Sequence, residues 1–289
     1  MKTLGILLVF FLLVTSCFAL EWKDLHNKAD LIDLATAQEE LAQNPNSIDH
    51  LYVLGLVYLN FYEIQNSKAV FEKVLELDPK SIEGRWGIAE ILRREHKTDE
   101  AAGMLEKIIK ENSSYSPALI TLAYIRYIQK DFDGSIRLTG QVINQRRENV
   151  DEANFLRAHG LYAAAKGMIA HYGGPISKAI NGAGVLKHLN IIQKLAPDSP
   201  VVNFGLGSYY MLVSVALGQN FDKAQGYLEK AIAADPLFAN PYVRLAQIYK
   251  KKGDMKKYEE LINKAFELDP GNELAIDINS GECFFICLE

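Results

Sequence analysis

From about Ser47 onward, apolar side chains recur every three to four residues, and the resulting stripe returns in phase thirty-four residues further on. One copy reads Leu54-Gly55, Tyr58, Phe71 and Leu77-Asp78-Pro79. A step of thirty-four leads to Ile88-Ala89, Leu92, Ala101, Leu105 and Ile108, and a second to Leu122-Ala123, Ser135 and Val142, with the aromatic moved to Tyr127. The stripe returns as Leu206-Gly207, Tyr210, Ala224, Leu228, Ala231 and Asp235-Pro236, with extra residues between its halves. The last copy is Leu245-Ala246, Tyr249, Gly253, Ile262, Ala265 and Leu268-Asp269-Pro270. The local spacing predicts helices, and the long period predicts one helical hairpin per copy. A hairpin cannot bury its apolar side alone, so the copies must stack, the small residue allowing close approach and the large ones filling the space beside it. Pro79, Pro117, Pro197, Pro236, Pro241 and Pro270 fall at or near the expected hairpin ends, where a missing amide costs little.

These positions resemble the tetratricopeptide repeat family, over roughly residues 47 to 270. The resemblance implies an all-α fold, an α-solenoid coiled as a right-handed superhelix, which binds a protein or peptide partner in a concave groove. The expected organisation is a signal peptide over 1–19, capping helices over 20–46, hairpins over 47–149, an irregular long hairpin over 150–197, further hairpins over 198–271 and a tail over 272–289. Within the cap, one amphipathic helix is expected from Ala29 to Gln43, paired with a short one from Glu21 to His26. The phase is lost between Val150 and Leu195, where two long helices are expected on either side of Tyr172-Gly173-Gly174-Pro175. Gly182 and Gly184 weaken the second, and close packing against a neighbour is the expected compensation. Neither glycine cluster is a phosphate cradle, since no strand precedes it and no lysine with Ser or Thr follows at the required spacing. Leu206-Gly207-Ser208-Tyr209-Tyr210, Leu217-Gly218 and the helix from Lys223-Ala224 to Asp235-Pro236 also resemble the T component of TRAP-type transporters, although Val213-Ser214-Val215 stands where a proline belongs. That resemblance implies a periplasmic binder of a small apolar ligand, in a cavity near Tyr162, Gly207 and Tyr210.

The amino terminus reads differently. Lys2, an apolar run from Leu4 to Val14 and small residues around Ser16, Cys17 and Ala19 form the pattern of a signal peptide, shorter than the roughly 20 apolar residues of a spanning helix. Val14-Thr15-Ser16-Cys17 fits lipoprotein processing with Cys17 acylated, and Cys17-Phe18-Ala19 fits ordinary cleavage; both stay open. The chain is therefore expected in the periplasm or cell envelope, touching membrane only through an acyl chain at Cys17. Export permits a disulfide between Cys283 and Cys287, a spacing that suits neither a zinc site nor a redox motif. A net charge of -5 offers no general attraction to nucleic acid or anionic lipid.

No catalytic constellation emerges. No two of the six histidines have the spacing of a zinc-binding helix, and pairs such as Glu39-Glu40 and Glu259-Glu260 fall on solvated helix faces, so neither enzyme activity, metal nor cofactor is expected. Lys250-Lys251-Lys252, with Lys256 and Lys257, reads as a solvated face at a hairpin turn. The first helix of each hairpin should line the groove. Its exposed face is expected to present Tyr52 with Leu56, then Trp86, Glu90 and Arg93, then Tyr124 and Tyr127, then Phe155, His159 and Tyr162, and finally Phe204, Ser208 and Met211. Aromatic lining of this kind suits an extended or apolar peptide segment.

Overall fold

The structure is a computed structural model that describes residues 21–213 and 218–288, so the segment expected to be a signal peptide, with Cys17, and also Ser214, Val215 and Leu217, lie outside the described residues. Every regular element among the described residues is helical, as the repeat period requires. In chain order they are α1 (Trp22–Leu31), α2 (Leu34–Gln43), α3 (Ile48–Asn60), α4 (Ile64–Leu77), α5 (Ile82–Arg94), α6 (Thr98–Glu111), α7 (Ser116–Ile128) and α8 (Phe132–Ile143). After a short 3-10 turn follow α9 (Glu152–Tyr172), α10 (Pro175–Leu195), α11 (Pro200–Leu212), α12 (Phe221–Ala234), α13 (Ala239–Lys251), α14 (Met255–Leu268) and α15 (Glu273–Ser280). None of these helices is long and apolar enough to cross a membrane.

Local chemistry sets the helix starts. The side chains of Ser47, Ser81, Asp131, Asp151, Asn220, Asp254 and Asn272 each accept a hydrogen bond from the backbone amide three residues on, satisfying a donor that has no partner inside the helix. Asp33 does the same for Thr36, and this cap divides the helix expected over 29–43 into the end of α1 and the whole of α2. Prolines occupy the first turns of α7, α10 and α11, where their fixed φ helps and their missing amide is not needed.

The hairpins pack as the thirty-four residue period predicts. Gly55, Ala89 and Ala123 occupy one register of α3, α5 and α7, and the two alanines are fully buried. Phe71 of α4 shows why that register is small. Its ring lies between Gly55 and Gly87, and a Cβ at either position would overlap it. One core runs from α1 through the start of α9, a second joins α11 to α15, and a smaller one fills the α9–α11 junction. The irregular hairpin is less closely packed than expected. Gly182 has only Ala170 nearby, and Gly184 faces open space.

Candidate functional site

Three aromatic residues of successive first-helix segments converge, two of them expected along the groove. Tyr52 of α3, Trp86 of α5 and Tyr115 ahead of α7 meet at one place, with Tyr52 and Trp86 edge-to-face at 6.2 Å and the Tyr52 and Tyr115 hydroxyls 3.2 Å apart. They are not exposed, however. Tyr52 is fully buried, Trp86 nearly so, and Leu56 is buried beside them. What covers them is α1. Trp22 lies edge-on to Tyr115 at 5.3 Å, and His26 lies 5.3 Å from Trp86 with its Nε2 2.8 Å from the Tyr52 hydroxyl. Leu25 and Ala29 are buried in the same core. At its two ends α1 is tied by Lys23 Nζ donating to the Glu148 carbonyl at 2.8 Å and by Asn60 Nδ2 donating to Asp30 at 3.2 Å. The expected capping helix is thus laid across the first-helix faces of successive hairpins. Burial holds the His26 imidazole down, at a pKa of about 4, against the raising influence of Asp151 and with a smaller lowering one from Arg157.

Beside this seat lies a buried polar network. Glu90 accepts from Arg93 Nη2 at 2.6 Å, Arg94 Nε at 3.0 Å and Thr121 Oγ1 at 3.1 Å, and Thr121 in turn accepts from Trp86 Nε1 at 3.2 Å. Burial alone would raise the Glu90 carboxyl, but the two guanidiniums hold it well below the usual range. Arg94 also donates to the Leu59 carbonyl at 2.8 Å, tying α5 to α3. Arg93 lies 4.9 Å above the Tyr124 ring, and the Tyr124 hydroxyl donates to Glu273 of α15 at 3.2 Å. Burial and then Glu273 push that phenol up.

The contact with Glu273 belongs to a larger closure. The turns α3–α4, α5–α6 and α7–α8 carry Tyr62, His96 and Lys130, again thirty-four apart, in the left-handed region with φ of 59°, 59° and 67°. Gly253 holds the matching place between α13 and α14. All three side chains reach the carboxyl-terminal part of the chain. The Tyr62 hydroxyl donates to Asp235 at 3.0 Å. His96 places Nε2 3.0 Å from Asp269 and Nδ1 3.1 Å from Glu273, its ring against Gly271, where a Cβ would overlap it. Lys130 Nζ lies 2.9 Å from the centre of the Phe284 ring. Tyr127 stacks on Phe285 at 5.5 Å, and burial pushes its phenol up to about 12. Cys283 and Cys287 are disulfide-bonded, and the carbonyls of Phe285 and Ile286 accept from Arg244. The groove expected to stand open is therefore covered on one side by α1 and met on the other by the chain's own end.

The remaining expected residues form a separate group. Phe155, His159 and Tyr162 lie on α9, with Phe155 and His159 4.6 Å apart. His159 shares a 2.9 Å Nδ1 contact with His188 of α10, and Tyr162 stacks on His188 at 4.4 Å. Burial, helped by His188, lowers His159 to about 4. Phe204 packs edge-on against Phe238, and Met211 is fully buried in the second core. The residues expected around a small-ligand cavity, Tyr162, Gly207 and Tyr210, each have close neighbours. Gly207 abuts Leu228, Tyr210 is stacked on Tyr227, and Tyr162 is engaged as above. Sequence reasoning missed α1 as a groove occupant and the turn residues as a clasp. Helical spacing of Trp22, Leu25, His26 and Ala29 signals a face to be buried without saying where, and bulky residues recur where a turn prefers glycine.

Comparison with known proteins agrees with the fold. The tetratricopeptide repeat model matches residues 50–81 and 239–272, in the α3–α4 and α13–α14 hairpins. Among solved structures, the chain is similar to a thermophilic tetratricopeptide repeat protein of Thermus thermophilus, at 18% identity and a TM-score of 0.56, over 70% of this chain and 99% of that one. It is similar to a tetratricopeptide repeat protein of Parabacteroides merdae, at 17% identity and a TM-score of 0.54, over 89% and 97%. A third likeness is to PilW, a widely conserved type IV pilus biogenesis factor, at 14% identity and a TM-score of 0.50, over 80% and 98%. At these identities the likeness is one of fold.

Proposed function

We propose that this tetratricopeptide repeat chain is an exported, non-catalytic scaffold of the cell envelope that captures a helical segment of a protein or peptide partner on the first-helix faces of α3, α5 and α7. The observation carrying this reading is α1 itself. Those faces already hold an amphipathic helix through Trp22, Leu25, His26 and Ala29, so their shape and chemistry suit a helix with an aromatic residue, a leucine and a small residue at turn spacing. A partner helix of that pattern competes with α1 for the same seat. Export is supported by Lys2, the apolar run Leu4 to Val14 and the small residues that follow.

The test uses a labelled peptide with the sequence of residues 21–33. Leu25→Asp places a carboxylate where a buried leucine packs and should detach α1 while leaving α3 to α8 folded. The peptide should bind that variant saturably, and bind the parent at least about tenfold more weakly because the tethered copy holds the seat at high effective concentration. Absence of binding to both, with the helical signal of α3 to α8 intact, overturns the reading.

A further inference from the structure

The net charge of -5 conceals an uneven distribution. From residue 153 to residue 197 the chain carries Arg157, Lys166, Lys178, Lys187 and Lys194, and not one aspartate or glutamate. This is the α9–α10 hairpin without its first residue, Glu152. Elsewhere cations commonly have carboxylate partners, as in Arg85 with Glu111 and Lys28 with Glu40. Among the described residues no ion pair engages Lys178, Lys187 or Lys194, and all three are exposed.

The same hairpin exposes apolar side chains. Ile176 is 78% exposed, Ile180 68%, and Tyr172, just before the turn, 57%. On α10 the exposed positions Ile176, Ile180, Ala183, Lys187 and Lys194 are spaced by four, three, four and seven residues, which places them on one stripe of the helix. The stripe begins apolar at the hairpin turn and becomes cationic further along. The Tyr172 hydroxyl donates to the Phe284 carbonyl at 2.5 Å, which brings the partly exposed Phe284 beside the apolar end.

We propose that this face docks on an anionic lipid bilayer, with Tyr172, Ile176 and Ile180 entering the headgroup boundary and the lysines pairing with lipid phosphates. The proposal stands independently of the groove reading. Complementarity of charge selects the occupant. A basic stretch without carboxylates from residue 153 to residue 197, in an otherwise acidic chain, is a part that an anionic surface attracts, whereas at the lysine-rich α13–α14 turn Lys252 and Lys257 are paired with Asp222 and Glu260, so the field both draws and orients the molecule. A narrow helical stripe with apolar and cationic parts also suits an interface that requires no shape complementarity. A second copy fits less well, because pairing two such stripes brings lysines of one sign together.

The test places an environment-sensitive dye at residue 183, through Ala183→Cys in a Cys17→Ser full chain, and a control dye on the outer face of α4 through Glu72→Cys. Phosphatidylglycerol vesicles should shift the emission of the first dye to the blue and leave the second unchanged, while phosphatidylcholine vesicles should leave both unchanged. Lys178→Gln with Lys187→Gln and Lys194→Gln, or Ile176→Ser with Ile180→Ser, should weaken the response at least about tenfold without altering helical content. No response to phosphatidylglycerol, an equal response to both lipids, or a blue shift already present without vesicles because copies associate, would each overturn the proposal.

Discussion

Phe71 shows how a single side chain decides the packing of a repeat. Its ring has room only because Gly55 and Gly87 lack a Cβ, so one aromatic residue sets how closely α3 and α5 approach α4. Gly87→Ala should destabilise the fold by about 1 to 3 kcal/mol, the usual cost of overpacking a full core, although alanine is the better helix former. A lower urea midpoint with unchanged slope checks this. His26 works through charge. Held neutral by burial at a pKa of about 4, it binds a proton in the unfolded chain near pH 6.5 but not in the folded one until far lower. The unfolded state therefore gains protons first as pH falls, and the stability present above pH 6.5 declines toward pH 4 by up to about 1.4 kcal/mol per pH unit from this group. His26→Gln should flatten that decline, as urea midpoints measured between those limits would report. His159, lowered for the same reason, leaves a residual slope in the variant.

At the scale of elements, the features legible in the sequence are those fixed by neighbours along the chain. The thirty-four residue period marks the hairpins α3 to α8 and α11 to α14, and Gly173-Gly174-Pro175 marks the break between α9 and α10, because caps, prolines and helical periodicity act within a few residues. The placement of α1 was not legible. An amphipathic helix announces that one face will be buried, yet nothing in Trp22 to Leu31 says which surface buries it. The answer depends on Tyr52, Trp86 and Tyr115 converging from three separate hairpins. The same logic explains the groove residues. Periodicity correctly grouped Tyr52, Trp86 and Glu90 on first helices, but exposure is set by what covers them: α1 lies over Tyr52 and Trp86, and Glu90 is enclosed by Arg93 and Arg94 of its own helix and by Thr121 of α7. Phe155, His159 and Tyr162 likewise share a face of α9, whose facing partner is His188.

For the whole molecule, the three left-handed turns pose a question that local structure cannot answer. Tyr62, His96 and Lys130 each hold a backbone conformation that a side chain disfavours by about 1 kcal/mol or more, where glycine would be free of the cost. Their contacts with Asp235, Asp269, Glu273 and Phe284 offset part of it by joining the two ends of the solenoid. Partly exposed hydrogen bonds and ion pairs of this kind are each worth about 1 kcal/mol or less, so the clasp as a whole contributes about 2 kcal/mol, a factor of about thirty in the ratio of closed to open forms. Replacing all three residues by glycine separates the two effects. Each hairpin turn is relieved of strain, so helical content and hairpin stability should hold or rise, while the closure loses its side chains. Small-angle scattering should then report a larger radius of gyration than the parent's, and dyes placed on α4 and α14 should move apart. An unchanged radius would mean that the ends are held by Tyr127 on Phe285 and by Arg244 on the disulfide-closed tail, and that the turn residues merely tolerate their strain.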